Sequence, residues 1–185
     1  MVRIFSVLAI ANGIGLLASF AFGLASMRAG SLNHPHDQTF LIHFLCGLFT
    51  AVATLLVHCL IFTYFLGTGR WVREVTLAYD LPDEPLYKTT RELKRKTFPP
   101  ALFAMLITIG TAAAGAGRQM QDWPYQIHLW GAILAVLVNA WACLIEYGSL
   151  RRNEEILAGV YREVDRVRAA RGLPSNEEAW RMEGN

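Results

Sequence analysis

Charged residues are scarce in this sequence, and long stretches have none. Only 17% of its 185 residues are Asp, Glu, Lys or Arg, whereas soluble domains carry about 25%. Charge is absent from residues 4–27, 38–69, 97–117 and 123–145. Each run exceeds the roughly 20 residues that a helix needs to cross a bilayer. The sequence therefore predicts an all-α membrane protein, a four-helix transmembrane bundle with spans at about 4–27, 39–69, 97–117 and 123–147.

Several other patterns are also missing. Ten-residue segments of alternating polarity, which a transmembrane β-barrel requires, do not occur. The sequence has no H-E-x-x-H, no Ser-His-Asp order and no paired acidic residues within the spans, so no catalytic set is complete and a non-enzymatic role is favoured. The three cysteines, Cys46, Cys59 and Cys143, all lie within predicted spans. No structural disulfide is therefore expected.

The basic residues that are present lie mainly in two segments. Loop 70–96 and tail 151–185 contain all 17 lysines and arginines except Arg3, Arg28 and Arg118. By the positive-inside rule, this loop and both termini face the cytoplasm, which we expect to be that of a bacterium with the protein in its inner (plasma) membrane. The net charge of +2 is too small and too dispersed to predict nucleic-acid binding. The expected partner of these residues is the lipid bilayer.

The predicted transmembrane domain covers residues 1–150, and the tail, 151–185, is predicted to be an amphipathic cytoplasmic helix. The second helix is expected to continue past Arg70, because "WVREVTLAY" favours helix and "DLPDEP" ends it. Gly172 and Pro174 end the tail helix, and "SNEEAW" predicts a short capped turn after it. The tail helix has an apolar stripe that either the extended second helix or another subunit must cover. That stripe consists of Ile156, Val160, Val164 and Val167.

Small residues form a row on the first helix and another on the third. Such rows let helices approach closely in lipid, where no hydrophobic force draws them together. They predict tight packing against neighbouring helices, other membrane subunits or a second copy of the chain. Pro99 and Pro100 suit the first turn of the third helix. The two rows are Ala11, Gly15, Ser19 and Gly23, and Thr111, Ala112, Gly115 and Ala116.

Two histidines occupy matching early positions in the second and fourth spans. His43 lies in "IHFLCG" and His128 in "IHLWG", a similarity that also suggests an internal repeat. Two imidazoles from two helices are what a six-coordinate haem b requires, and Gly47 and Gly131 would leave room for a porphyrin. The alternative is that each imidazole bonds to water or a carbonyl at the membrane interface.

The same end of the bundle has further nitrogen ligands. His34 and His36 in "NHPHDQ" could join His43 and His128 in a zinc or copper site. A polar turn is the competing interpretation of this His-Pro-His loop.

A third group of polar residues lies deeper in the predicted spans. His58, Asn12 and Asn139 are expected at similar depth, and hydrogen bonds among them would stabilise the bundle. Glu146 lies nearer the cytoplasmic boundary, where we expect it to pair with Arg70, Arg151 or Arg152.

These observations support more than one class of function. The first is a non-enzymatic membrane subunit or scaffold, because no catalytic set is complete. The alternative is an electron-transfer module that binds one haem b, or a metal ion, through His43 and His128 near the outer surface. A transporter is a third class, although no span is visibly broken in its middle.

Overall fold

The computed structural model describes residues 1–30, 37–81 and 86–183, and the regular structure in these residues is α-helical. The first four helices are long and apolar enough to cross a membrane, which confirms the prediction of four apolar helices of that length. In chain order the helices are α1 (Val2–Arg28), α2 (Gln38–Tyr79), α3 (Leu86–Gln121), α4 (Tyr125–Ala170) and α5 (Asn176–Glu183).

The chain forms two compact units. Unit 1 contains Met1–Phe62 and Thr97–Tyr147, and unit 2 contains Thr63–Lys96 and Gly148–Asn185. Helices α2, α3 and α4 each contribute residues to both units. As predicted, the second helix continues well beyond Arg70.

The two prolines of α3 lie inside the helix, so the prediction that they occupy its first turn is wrong. Each proline removes a backbone N–H and costs about 3 kcal/mol in a helix interior. The helix nevertheless begins at Leu86, because Leu86 and Thr90 are buried in unit 2. This packing stabilises the turns that precede Pro99 and Pro100.

Unit 1 buries polar side chains and exposes apolar ones. Val7, Phe49 and Leu144 are 67%, 77% and 74% exposed. Apolar side chains on the outside of a bundle are suited to lipid, whereas water would disfavour them. The polar residues of unit 1 that are at most 5% exposed are Asn12, Ser26, Thr50, Thr54, His58, Thr97, Thr108, Asn139 and Glu146.

The small-residue row of α1 packs against α2. A Cβ atom added to Gly15 would lie 2.9 Å from Thr50 Oγ1, and one added to Gly47 would lie 3.2 Å from Ser19 Oγ. Tight packing of this row is therefore confirmed. The row of α3 packs against α4 in the same way, because a Cβ on Gly131 would lie 3.1 Å from Thr111 Oγ1.

Unit 2 has an aliphatic core. The apolar stripe of the tail is covered within the chain by the extension of α2 and the first turn of α3, as one of the two predicted alternatives required. The core residues are Val72, Leu86, Ile156, Val160 and Val164.

The end of the tail also folds as predicted. Gly172 adopts a positive φ of 67° just after α4 ends. Ser175 and Glu178 then form a capping box at the start of α5: the Ser175 backbone N–H donates to Glu178 Oε2 over 2.8 Å, and the Glu178 N–H donates to Ser175 Oγ over 3.3 Å.

Candidate functional site

His43 is held on α2 with one ring nitrogen committed and the other open to a ligand. Its Nδ1 lies 3.1 Å from the backbone carbonyl oxygen of Ser19 on α1. Because a carbonyl only accepts hydrogen bonds, Nδ1 carries the proton and Nε2 keeps a lone pair. That is the tautomer in which a histidine binds a metal through Nε2.

His128 on α4 is held in the same way. Its Nδ1 lies 2.9 Å from the carbonyl oxygen of Thr111 on α3, so its Nε2 also keeps a lone pair. Ser19 and Thr111 belong to the two small-residue rows, and the matching contacts support the suggested repeat. Each hairpin therefore presents one imidazole with the same tautomer.

The structure brings these two imidazoles together. Their ring centroids lie 6.0 Å apart, with an angle of 69° between the ring planes. Both side chains are partly buried. Two neutral imidazoles with open Nε2 atoms thus meet in unit 1.

A glycine makes room for each ring. A Cβ on Gly23 would lie 2.9 Å from His43 Cε1, and one on Gly115 would lie 3.0 Å from His128 Cε1. Gly23 and Gly115 follow Ser19 and Thr111, the hydrogen-bond acceptors, by four residues each. One helical turn therefore supplies both the acceptor and the space for each histidine.

The two imidazoles border a cavity of about 610 Å³ within unit 1. Cofactor sites commonly enclose roughly 300–1,000 Å³. The cavity wall is mostly apolar, and its residues include three aromatic rings, small residues, an arginine and a glutamine. These are Phe20, Phe40, Phe44, Gly47, Ala112, Gly115, Arg118 and Gln119.

No group of three or more His, Cys, Asp or Glu side chains able to hold a metal ion occurs among residues 1–30, 37–81 and 86–183. The predicted ligands His34 and His36 lie outside the described residues. Within the described part of the site, two imidazoles are therefore the available nitrogen ligands.

A separate polar network surrounds His58. Its Nδ1 lies 2.7 Å from Glu146 Oε1, and its Nε2 lies 2.9 Å from Asn139 Oδ1. The Asn139 amide donates to the Ala135 carbonyl over 2.7 Å and to Thr108 Oγ1 over 3.1 Å. His58 and Glu146 are both fully buried.

The geometry of this network fixes its protons. Because the Asn139 nitrogen faces the Ala135 carbonyl, its Oδ1 faces His58, and His58 Nε2 must donate. One further proton lies between His58 Nδ1 and Glu146 Oε1. Whether the histidine or the carboxyl group holds that proton, the pair has no net charge.

Glu146 and Asn12 have partners that differ from the predicted ones. Glu146 does not pair with an arginine: Arg70 bonds to Glu74 over 2.8 Å and Arg152 to Glu155 over 2.7 Å. That expectation was wrong because Glu146 lies seven residues, about two turns, after Asn139 and so shares its buried face. This spacing was the signal in the sequence that could have placed Glu146 beside His58.

Asn12 has a different partner from the other two predicted members of the cluster. It accepts a hydrogen bond from Thr54 Oγ1 over 2.9 Å, whereas His58 and Asn139 bond directly to each other.

Comparisons of the chain with protein-family models, curated proteins and solved structures give no match.

Proposed function

We propose that this protein is an integral membrane electron-transfer module that holds one haem b between His43 and His128. The observation that carries the proposal is the pair of imidazoles from two helices, each fixed through Nδ1 and each with an open Nε2, beside one cavity.

The separation of the two rings suits one metal ion bound between them. A metal–imidazole bond of about 2 Å, plus the radius of the ring on each side, places two axial ring centroids roughly 6 Å apart. The observed distance is 6.0 Å.

The number of ligands among residues 1–30, 37–81 and 86–183 favours haem over a bare ion. Structural zinc takes four protein ligands, whereas a haem brings four nitrogens of its own and needs only two from the protein. The mostly apolar wall with Phe20, Phe40 and Phe44 suits the faces and edges of a macrocycle.

Arg118 gives the cofactor an orientation. It borders the large cavity and a second cavity of about 70 Å³ that touches both histidines. Its NH1 lies 3.3 Å from Asp122 Oδ1, near the end of α3. A guanidinium at this position would hold and neutralise the propionates of a bound haem.

The proposed chemistry follows from the ligands. A haem held by both His43 and His128 would have no open position for a substrate, and it would supply one-electron transfer. The residues of the chain fix the tautomers, exclude water with apolar side chains and set the charge around the ring.

The packing of the chain weakens the alternative of a scaffold protein. That hypothesis relied on small-residue faces and cytoplasmic helices to bind other proteins, yet Gly15, Gly23 and Gly115 pack against side chains of this same chain. The faces are explained without a second protein.

The proposal also includes a location in the membrane. From the positive-inside rule we infer that both termini are cytoplasmic and that the histidine pair lies near the outer surface of a bacterial inner membrane. With the three native cysteines replaced by serine, an impermeant thiol reagent should label Asp122→Cys on intact cells and spare Glu92→Cys. The opposite labelling would reverse the sidedness.

The haem itself is tested by purifying the protein from cells supplied with iron and a haem precursor. The wild type should show a Soret band and one haem per chain. His43→Ala and His128→Ala should each lose the six-coordinate spectrum, because one imidazole leaves an axial position empty. His58→Asn is the matched control and should keep it. A wild-type protein that neither retains haem nor takes up added haem would refute the proposed function.

A further inference from the structure

We infer that the buried pair His58 and Glu146 is a proton-binding site that takes up a proton when the cavity cofactor is reduced. The linkage to reduction rests on the proposed haem; the proton-binding site rests on the geometry of the pair alone. The expected activity is thus electron transfer coupled to protonation inside the membrane.

One polar atom of the network is left open. Both nitrogens of His58 are bonded, and the Asn139 amide uses its oxygen and its nitrogen. Thr108 donates to the Ala104 carbonyl over 2.8 Å. Glu146 Oε2, in contrast, is buried without a hydrogen-bond partner among the described residues. It is the network atom with room for another proton.

A buried carboxylate oxygen without a donor is costly, and a proton on Oε2 would neutralise that carboxyl group. At rest the pair holds one shared proton and no net charge. A second proton on Oε2 gives a neutral carboxylic acid beside an imidazolium whose two N–H groups still donate to Asn139 and Glu146. The network can therefore accept a proton without breaking a hydrogen bond.

The network reaches the cavity at its other end. Thr108 and Ala135, which bond to Asn139, both line the cavity that His43 and His128 border. Hydrogen bonds thus run from the cavity wall through Asn139 and His58 to Glu146. In an apolar interior a change of one charge in the cavity acts on this pair with little screening.

The charge balance is simple. One electron from an external one-electron donor converts ferric to ferrous haem, and one proton from the aqueous phase binds Glu146 Oε2. The electron lowers the positive charge at the iron by one, and the proton raises the charge of the His58–Glu146 pair by one. The interior therefore keeps its net charge.

Few other ionisable groups face the pair. α1 and α3 contribute none from residues 4–27 and 97–117. On α4, Cys143 lies close enough to interact electrostatically with Glu146. On α2, Cys59 is exposed and donates to Met105 over 4.0 Å, and Tyr64 bonds to Asn153 within unit 2. The pair is therefore the main candidate for proton uptake in this interior.

The test uses the full chain with haem bound. The midpoint potential of the wild type should fall as pH rises, because protonation favours the reduced state. Glu146→Gln should keep the haem and lose most of this slope, since an amide can hydrogen-bond to His58 but cannot take up the proton. Glu155→Gln, at an exposed acid on the same helix, is the matched control and should keep the wild-type slope.

Infrared difference spectra give a second measurement. Reduction of the wild type should change the carboxylic-acid C=O stretch as Glu146 takes up the proton, and Glu146→Gln should lack that change. A wild-type pH slope in Glu146→Gln with haem retained would overturn the linkage to reduction.

The proton-binding site can also be tested in protein that contains no haem. In protein without haem, lowering the pH should still change the carboxylic-acid C=O stretch, and Glu146→Gln should lack that change. Absence of the change at every pH at which the protein stays folded would overturn the proton site itself. If the protein binds no haem but shows the change, only the linkage to reduction is refuted.

Discussion

Units 1 and 2 are built in opposite ways. Unit 1 buries His58, Asn139 and Glu146 and exposes apolar side chains such as Phe49. Unit 2 buries Val72 and other aliphatic side chains and exposes charged residues. The surface of unit 1 therefore suits lipid, and the surface of unit 2 suits water.

Different interactions therefore stabilise the two units. In water, burial of apolar surface is the main favourable term. In lipid that term is absent between helices, and close packing and hydrogen bonds replace it. The glycine contacts and the polar network of unit 1 are the features that this reasoning requires, and they also form the candidate site.

The largest effect should come from breaking the polar network of unit 1. His58→Leu leaves Glu146 buried without its partner and should destabilise the protein by about 3–5 kcal/mol. Thermal unfolding in detergent would measure the loss.

A double substitution distinguishes the cost of the unpaired Glu146 carboxyl group from the cost of the changed side-chain shape at position 58. If the cost comes from the stranded carboxyl group, His58→Leu combined with Glu146→Leu should recover much of the stability. A single variant as stable as the wild type would show that the network contributes nothing to the stability of unit 1.

Unit 2 should be destabilised by the loss of a buried apolar side chain. Ile156→Ala removes buried aliphatic volume and should cost about 2–5 kcal/mol, measured by amide hydrogen exchange of α4 within unit 2. Leu77→Ala, at a side chain that is 72% exposed, is the control and should change stability by less than about 0.5 kcal/mol. Equal effects of the two variants would contradict an aliphatic core.

Much of this architecture could be predicted from the sequence because its signals are local. Uncharged runs predict the spans, and four-residue spacing predicts the small faces of α1 and α3. The matching positions of His43 and His128 were sufficient to suggest that they meet. These signals depend on spacing along one helix and on depth in the membrane. They do not depend on which helices are neighbours.

The rest depended on tertiary packing. The helix start at Leu86, ahead of Pro99, depends on burial in unit 2 rather than on local preference. The partner of Glu146 depended on which face of α4 lies against α2, and charge alone favoured an arginine. The Nδ1 contacts of the histidines required backbone positions that no sequence pattern specifies.

A smaller loss of stability should distinguish Gly23 and Gly115, which contact the two histidine rings, from other glycines of unit 1. Gly115→Ala crowds the His128 ring and should cost about 1–3 kcal/mol and lower haem retention. Gly110→Ala is the control on the same helix, because a Cβ there has nothing within 4 Å. It should be neutral or stabilising by up to about 1 kcal/mol. The same loss of haem in both variants would contradict a role for Gly115 in seating the histidine.

The smallest effect concerns the water-exposed end of unit 2, where a single capping box starts α5. The hydrogen bonds from the Ser175 backbone N–H and hydroxyl lower the pKa of Glu178. Because the pKa is lower in the folded state, the capping bonds stabilise α5 fully above the ordinary pKa of a glutamate and are lost as pH falls through the lowered value. The amide chemical shift of Ser175 should follow this titration. Glu178→Gln should abolish the pH dependence while the shifts of unit 1 stay unchanged. A Ser175 shift that titrates equally in Glu178→Gln would show that another group controls this end of the chain.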